Sequence, residues 1–239
     1  MLPALKRCDL PMLSDPPATA EALAALIREL HRRGWCDGTG GNFSCVLGRD
    51  PLRLLMAPSG INKGSVRASD LVQVNEAGTV VEGNGQASAE TLLHLEIVNT
   101  CGAGAVLHTH SPAATLLSRL ALQNNQGREH EPAGVVFEGL EMMKGLEGIT
   151  THHSRVVLPV VPNDQDLRRL SALASPLLNG APHGLLVAGH GLYAWGSDLF
   201  VAQRHVEILE FLLDQAWREL VVKSMQPTAP VHPTPAPHP

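Results

Sequence analysis

The apolar and polar positions of this chain follow two periods, one typical of helices and one typical of strands. Apolar residues at steps of three and four predict a helix that Thr19 caps and that runs to about residue 33, and another that begins at 88–90 and runs to about 100. The same spacing predicts helices over 112–120 and 164–173, and a long one from a cap at Ser197 to about 220.

Short runs that alternate or are wholly apolar predict strands between these helices. They cover residues 43–47, 52–56, 71–74, 79–81, 105–108, 135–137, 156–160, 185–188 and 191–195. Because hairpins and helices follow one another in mixed order, we expect an α/β fold in which helices cover a largely antiparallel sheet.

One of these strands ends in two histidines. His108 and His110 are two residues apart, so they project from the same face of the strand, together with Val106. Ser111 and Pro112 follow as a helix cap and a proline in the first helical turn. The two imidazoles therefore lie where a buried strand runs into a helix, a place where ligands collect in α/β folds.

Composition and charge describe one compact domain with tails. The chain has 239 residues, 44% of them hydrophobic, a net charge of −5 and a pI near 6.2. A nucleic-acid binder usually carries a basic excess, so we expect no nucleic acid as partner. Without a membrane-length apolar run or a signal-type segment, we expect no membrane partner and a cytoplasmic location. We expect a flexible leader over 1–18, the folded domain over 19–222 and a Pro-rich disordered tail over 223–239.

The chain contains four cysteines and twelve histidines, most of which have an ordinary explanation. The cysteines show no C-x-x-C spacing, which predicts reduced thiols. Nine histidines fall in the tail, in predicted helices or in polar loops, namely His31, His94, His130, His152, His153, His183, His205, His232 and His238. His108, His110 and His190 remain, and three imidazoles with one open position are typical of a catalytic zinc or similar divalent ion. The alternative is a chance His-x-His pair on a polar strand face.

Two loops of small residues, over 40–44 and 57–64, predict a phosphate site. Their backbone N–H groups can point inward, and Asn42, Ser59 and Lys63 supply side-chain donors. Ser88 begins a helix, where the dipole favours an anion. The alternative is that both loops are ordinary hairpin turns.

Two acids are candidates for proton transfer. Glu90 lies at the start of the helix that leads into the histidine strand, and Glu141 lies among apolar neighbours. If either carboxylate faces the metal, it becomes an acid or base beside a polarised carbonyl. The alternatives are a surface residue that matches the helix dipole and an exposed glutamate on an amphipathic turn.

From about residue 20 to 222 the chain resembles the class II (zinc-dependent) aldolase and adducin head domain superfamily. The motifs that carry the resemblance are, in order, Gly41-Asn42-x-Ser44, Pro58-Ser59-Gly60, Ser88-x-Glu90, His108-Thr109-His110 and His190-Gly191. Segments 57–63, 102–106, 141–145 and 190–196 resemble the methylthioribulose-1-phosphate dehydratase branch of that superfamily.

The resemblance implies a three-layer αβα domain with a central, largely antiparallel sheet, usually assembled as a homotetramer with sites near subunit contacts. It also implies one Zn²⁺ per subunit, held by His108, His110 and His190. A sugar phosphate would be gripped around Asn42, Ser59, Gly60 and Ser88.

The implied reaction is the zinc-dependent dehydration of 5-methylthioribulose 1-phosphate to 2,3-diketo-5-methylthiopentyl 1-phosphate in methionine salvage. The position of Glu141 holds the proposed acid/base of the dehydratase branch, and that of Glu90 holds the catalytic glutamate of the aldolase branch. We therefore assign proton transfer to Glu141, with Glu90 as the second candidate. Two alternatives stay open: an aldolase or epimerase acting on another sugar phosphate, and a non-catalytic scaffold of the adducin kind.

Overall fold

The computed structural model describes residues 16–125 and 132–226, which form five α-helices and nine strands. The helices are α1 (Pro16–Arg32), α2 (Thr91–Cys101), α3 (Pro112–Asn124), α4 (Leu167–Leu178) and α5 (Leu199–Met225). The strands are β1 (Asn42–Arg49), β2 (Leu52–Met56), β3 (Val72–Asn75), β4 (Val80–Glu82), β5 (Ala105–Thr109), β6 (Gly134–Phe137), β7 (Val156–Val161), β8 (Gly184–Val187) and β9 (Gly191–Gly196).

All nine strands join one sheet in the order β4-β3-β2-β1-β5-β9-β8-β7-β6. Neighbouring strands run antiparallel except β7 and β8, which are parallel. The expected largely antiparallel sheet is therefore confirmed. The histidine strand β5 lies at its centre, between β1 and β9.

Helices cover both faces of the sheet, which confirms the three-layer αβα arrangement. One core joins α1, α3 and α5 to the face that includes Leu107, and the other joins α2 and α4 to the face that includes Val106. Successive residues of β5 thus enter opposite cores, as the pleat of a strand requires. No helix among the described residues is long and apolar enough to cross a bilayer.

Two of the expected helix caps were wrong. The first helix begins at Pro16 and Thr19 lies inside it, because the fixed φ of proline suits the first turn. Residues 16–18 of the expected leader are therefore helical. The last helix is capped by Asp198 rather than Ser197, since the Asp198 carboxylate accepts a 2.8 Å hydrogen bond from the Val201 N–H.

Three helix lengths also differ from expectation. Helix α3 continues to Asn124, α4 begins only after its cap Asp166 and runs to Leu178, and α5 includes residues 223–225 of the expected tail. Asp166 sets the start of α4 because its carboxylate accepts hydrogen bonds from the N–H groups of Arg168 and Arg169. The rest of the predicted leader (1–15), the end of the predicted loop at 126–131 and the rest of the tail (227–239) lie outside the described residues.

Candidate active site

Three imidazoles converge where β5 leaves the sheet. His108 is paired in register with Asn42 of β1 and with Tyr193 of β9, and His190 lies in the turn between β8 and β9. Ser111 then caps α3 by accepting a 3.1 Å hydrogen bond from the Ala114 N–H, as predicted. The strand end and the β8–β9 turn thus hold the three rings together.

The facing atoms of the three rings are their Nε2 nitrogens. The Nε2 of His108 lies 2.8 Å from that of His110 and 3.4 Å from that of His190. The Nδ1 of His108 lies 2.9 Å from the Leu192 carbonyl, so Nδ1 carries the proton and Nε2 presents a lone pair. Lone pairs that face one another repel unless a cation lies between them, and three imidazoles suit a zinc-like ion. This donor set therefore fits the implied metal.

Burial favours the neutral rings that such an ion needs. It lowers the pKa of His108 well below its ordinary range, and the nearby His110 and His190 add to that effect despite Glu90. Burial and the neighbouring His190 also lower the pKa of His110. Both rings are consequently neutral near pH 7 and can ligate a metal without first losing a proton.

Glu90 lies directly against the histidines. It is the N-cap residue of α2, but its carboxylate makes no capping bond and lies 3.0 Å from the Nε2 of His190 and 3.5 Å from that of His108. The Asn42 amide donates a hydrogen bond to the same carboxylate. Burial alone would raise the pKa of Glu90, but the hydrogen bond with His190 and the positive charge that His108, His190 and His94 carry when protonated lower it to about 2. The alternative of a surface acid is therefore wrong for Glu90.

Glu141 has a different environment. It begins a short 3₁₀ helix (Glu141–Gly145), its side chain is 70% exposed, and it pairs with Lys144 and, at 3.6 Å, with His152. No hydrogen bond or ion pair of the described residues joins it to the three histidines. Its neighbour Met142 lines a cavity of about 650 Å³ that reaches Ser111, one residue beyond His110.

The predicted phosphate residues fall into an open turn and a buried position. Ser59 and Gly60 are exposed, Gly60 has a φ of +74°, and nothing lies within 4 Å of where its Cβ would be. The turn therefore has room for a ligand, and only glycine adopts its backbone without strain. Ser88 is buried beside Glu90, whose N–H donates to its hydroxyl over 3.3 Å.

Lys63 is buried, and its ammonium hydrogen-bonds to the protein backbone. Its ammonium donates to the carbonyls of Thr39 and Ile61, over 3.0 and 3.2 Å, and burial lowers its pKa. These bonds tie the two small-residue loops to each other.

Sequence reasoning missed three polar residues that surround the site. The Tyr193 ring stacks on His108, with centroids 3.9 Å apart and planes 11° apart. His94, one helical turn after Glu90, is fully buried and bonds to the Ser44 hydroxyl over 2.8 Å. On the opposite face of β5, the Thr109 hydroxyl donates to the buried carboxylate of Glu210. The one available signal was that Tyr193 is the chain's single tyrosine, within an apolar strand.

Comparison with known proteins identifies the class to which the chain belongs. The sequence model of the class II aldolase and adducin N-terminal domain family matches residues 21–217, and the chain belongs to that family. Among solved structures, an L-fuculose 1-phosphate aldolase superposes with a TM-score of 0.69 at 24% identity, covering 90% of this chain and 91% of that one. The corresponding aldolase of Thermus thermophilus gives 0.68 at 22% identity, covering 88% and 100%. At these identities the likeness shows the fold alone.

Curated relatives narrow the class to one branch. The chain is 42% identical over 206 residues to the methylthioribulose-1-phosphate dehydratase of Sorangium cellulosum (strain So ce56), which covers 84% of this chain and 92% of that protein. It is 43% identical over 199 residues to the protein of the same name from Methylococcus capsulatus, covering 82% and 91%. The resemblance noted from the motifs is therefore confirmed over most of the chain.

Proposed function

We propose that this chain is a hydro-lyase that converts 5-methylthioribulose 1-phosphate to 2,3-diketo-5-methylthiopentyl 1-phosphate in methionine salvage. The observation that carries the proposal is the convergence of three imidazole Nε2 atoms, two of which, on His108 and His190, face the Glu90 carboxylate. The similarity to dehydratases across more than four fifths of the chain supports it. The proposal includes one Zn²⁺ per subunit on His108, His110 and His190, and a cytoplasmic location.

The three histidines would hold the metal, which when bound supplies Lewis acidity toward the C2 carbonyl of the substrate. Glu90 would remove the proton from C3, because it is the carboxylate that lies against the ligands. Asn42 would keep that carboxylate in place through its amide N–H. The second N–H of the amide stays available for the phosphate.

Glu141 would donate the proton with which the C4 hydroxyl leaves as water, and the resulting enol becomes the second ketone. This assignment rests on the resemblance, and on the cavity that Met142, the neighbour of Glu141, lines together with Ser111. The phosphate would lie over the open turn of Ser59 and Gly60, near the buried Ser88 and Lys63. Glycine at position 60 leaves the space that a phosphate oxygen needs.

The substrate is tested by incubating the zinc-reconstituted protein with 5-methylthioribulose 1-phosphate and with a panel of other ketose and aldose phosphates. We expect diketone absorbance from the first compound and no retro-aldol fragments from the others. Retro-aldol fragments without diketone would establish the aldolase alternative instead. A protein that takes up no metal after zinc reconstitution and turns over no substrate would establish the scaffold alternative.

The division of labour between the acids is tested by proton exchange in D₂O. We expect Glu90→Gln to lose exchange of the C3 hydrogen and Glu141→Gln to keep exchange while losing dehydration. Loss of C3 hydrogen exchange in Glu141→Gln would show that Glu141, not Glu90, removes the C3 proton. Full turnover by Glu141→Gln would remove that residue from the mechanism.

A homotetramer remains part of the proposal. Large apolar side chains of α5 are exposed in the single chain, among them Phe200 at 73%, Val222 at 55% and Leu220 at 45%. Exposed apolar side chains on one helix are typical of an interface. Light scattering that gives the mass of a single chain at working concentration would contradict this.

A further inference from the structure

A second group of potential metal ligands lies away from the candidate active site. Glu147 follows the short helix that carries Glu141, His183 immediately precedes β8, and His205 belongs to α5. One ligand atom of each lies within 4.8 Å of the others. These three residues come from segments far apart in the sequence, so the fold alone brings them together.

His205 is already oriented as a ligand. Its ring is buried, and its Nδ1 lies 2.7 Å from the Trp195 carbonyl, so Nδ1 carries the proton. The lone pair is therefore on Nε2, where it accepts a 3.3 Å hydrogen bond from the backbone N–H of Glu147, and a bound ion would take the place of that N–H. Metal-binding histidines characteristically donate their other ring N–H to a carbonyl in this way.

His183 is held in a strained backbone conformation beside His205. Its φ is +57°, and among the described residues it is the only non-glycine with a positive φ. Such strain of about 1–3 kcal/mol tends to persist where function requires it. The two rings lie 4.4 Å apart with planes 27° from each other, and the Nε2 of His183 lies 3.9 Å from the Glu147 carboxylate.

Burial keeps both imidazole rings of the cluster neutral and able to ligate an ion. Burial lowers the pKa of His183 and of His205, Arg204 adds to that effect, and Glu147 opposes it. The side chains of His183 and Glu147 are 30% and 56% exposed. Both side chains are partly exposed and can therefore rotate toward a bound ion, around which tetrahedral ligand atoms lie about 3.3 Å apart.

We propose that Glu147, His183 and His205 form a second divalent-cation site, suited to a borderline ion such as Zn²⁺. Two imidazoles and one carboxylate select such an ion over Mg²⁺ or Ca²⁺, which prefer oxygen ligands. The ion would exchange readily, because Glu147 is half exposed and one position stays open to water. It would also tie the segment after Glu141–Gly145 to β8 and α5. This site is independent of the proposed reaction.

The test is a Zn²⁺ titration of the zinc-loaded protein after dialysis, with bound metal counted by elemental analysis. The wild type is expected to take up a further equivalent beyond the one retained through dialysis. His183→Gln should lose that further equivalent, whereas the matched control His153→Gln, an exposed histidine, should keep it. His190→Gln should lose the retained ion and keep the exchangeable one.

Glu147→Gln covers the case in which His183→Gln fails to fold, because an exposed side chain can change without disturbing the core. This substitution should lower the affinity for the further Zn²⁺ at least about tenfold. The proposal is wrong if the wild type binds no further equivalent, or if His183→Gln and Glu147→Gln bind it as tightly as the wild type.

Discussion

A largely buried glutamate, Glu90, and a fully buried one, Glu210, flank the histidine strand on opposite faces, and their pKa values are shifted in opposite directions. Glu90 faces His108 and His190, and its pKa lies at about 2. Glu210 reaches the other face of β5 from α5, and burial raises its pKa to about 7, although hydrogen bonds with the hydroxyls of Ser111 and Thr109 oppose the rise. Burial acts in the same direction on both carboxyl groups, so their partners decide the outcome.

The difference shows what each partner can do for a buried carboxylate. An imidazole supplies a hydrogen bond and, in its protonated form, a positive charge that offsets the loss of hydration, whereas a hydroxyl supplies only a hydrogen bond. The strand between them thus separates an ionised acid on the side of His108 and His190 from a partly protonated acid on the helix side. A reaction that removes a proton can use the first, and the second affects folding.

The largest expected contrast is in catalysis. Glu90→Gln removes the proposed base and should lower kcat by about a thousandfold, while Glu210→Gln should retain most activity. Both variants should bind zinc, because neither residue is a proposed ligand. Steady-state kinetics with elemental analysis measure this. Equal losses of kcat in the two variants would show that Glu90 does not act as the base.

The next contrast is in the pH dependence of stability. The pKa of Glu210 is raised in the folded chain, so the group costs no stability below its ordinary value of 4.5 and destabilises the fold increasingly as pH rises toward 7. Glu210→Gln should therefore gain about 3 kcal/mol relative to the wild type between these limits. Urea unfolding at pH 5 and pH 8 measures the difference.

Glu219→Gln, an exposed acid on the same helix, serves as the control and should leave the pH dependence unchanged. If the wild type and Glu210→Gln share one pH profile, Glu210 ionises in the folded chain as it does in water.

A smaller loss is expected where β9 approaches β5 between the two acids. A Cβ at Gly191 would lie 2.0 Å from the Thr109 carbonyl oxygen and 3.1 Å from atoms of His108 and His110. Gly191→Ala should therefore cost about 2 kcal/mol of stability and weaken zinc binding. Gly180→Ala, with nothing within 4 Å, is the matched control. Unchanged zinc affinity in Gly191→Ala would show that the rings tolerate displacement.

The smallest expected effect concerns the hydrogen bond between Thr109 and Glu210 on the helix side of β5. Thr109→Val removes the hydroxyl that donates to Glu210, so it should cost about 1 kcal/mol and raise the pKa of Glu210 further. Thr109→Ser keeps a hydroxyl and should behave like the wild type. The pH at which stability levels off reports this pKa, and an unmoved midpoint in Thr109→Val would contradict the assignment.

Local signals predicted much of the fold. Gly102 ends α2 with a φ of +66°, and Ser111 caps α3, because both effects depend on neighbouring residues alone. The alternation in β5 also predicted which of its residues share a face. The starts of α1 and α5 were missed because two residues close in sequence could each begin or cap the helix.

The candidate site was predictable only in part. The pair His108 and His110 follows from strand geometry, and His190 from its place at a strand end. The sequence could not separate Glu90 from Glu141, because each is a glutamate near a short apolar segment. The environment of Glu90 depends on β1, β5 and the β8–β9 turn meeting at one point.

The sequence by itself determined the periods of the helices and strands, the two-residue spacing of His108 and His110 in the histidine strand and, through its motifs, the family. Tertiary structure decided which carboxyl groups are ionised and which histidines meet. The physical reason is the separation along the chain over which each effect acts. Dihedral preferences and side-chain alternation act over a few residues, whereas the hydration and charge that set a pKa come from whatever the fold packs against a group. Glu90 and Glu210 are the same residue type, and their different neighbours keep one ionised and leave the other partly protonated near pH 7.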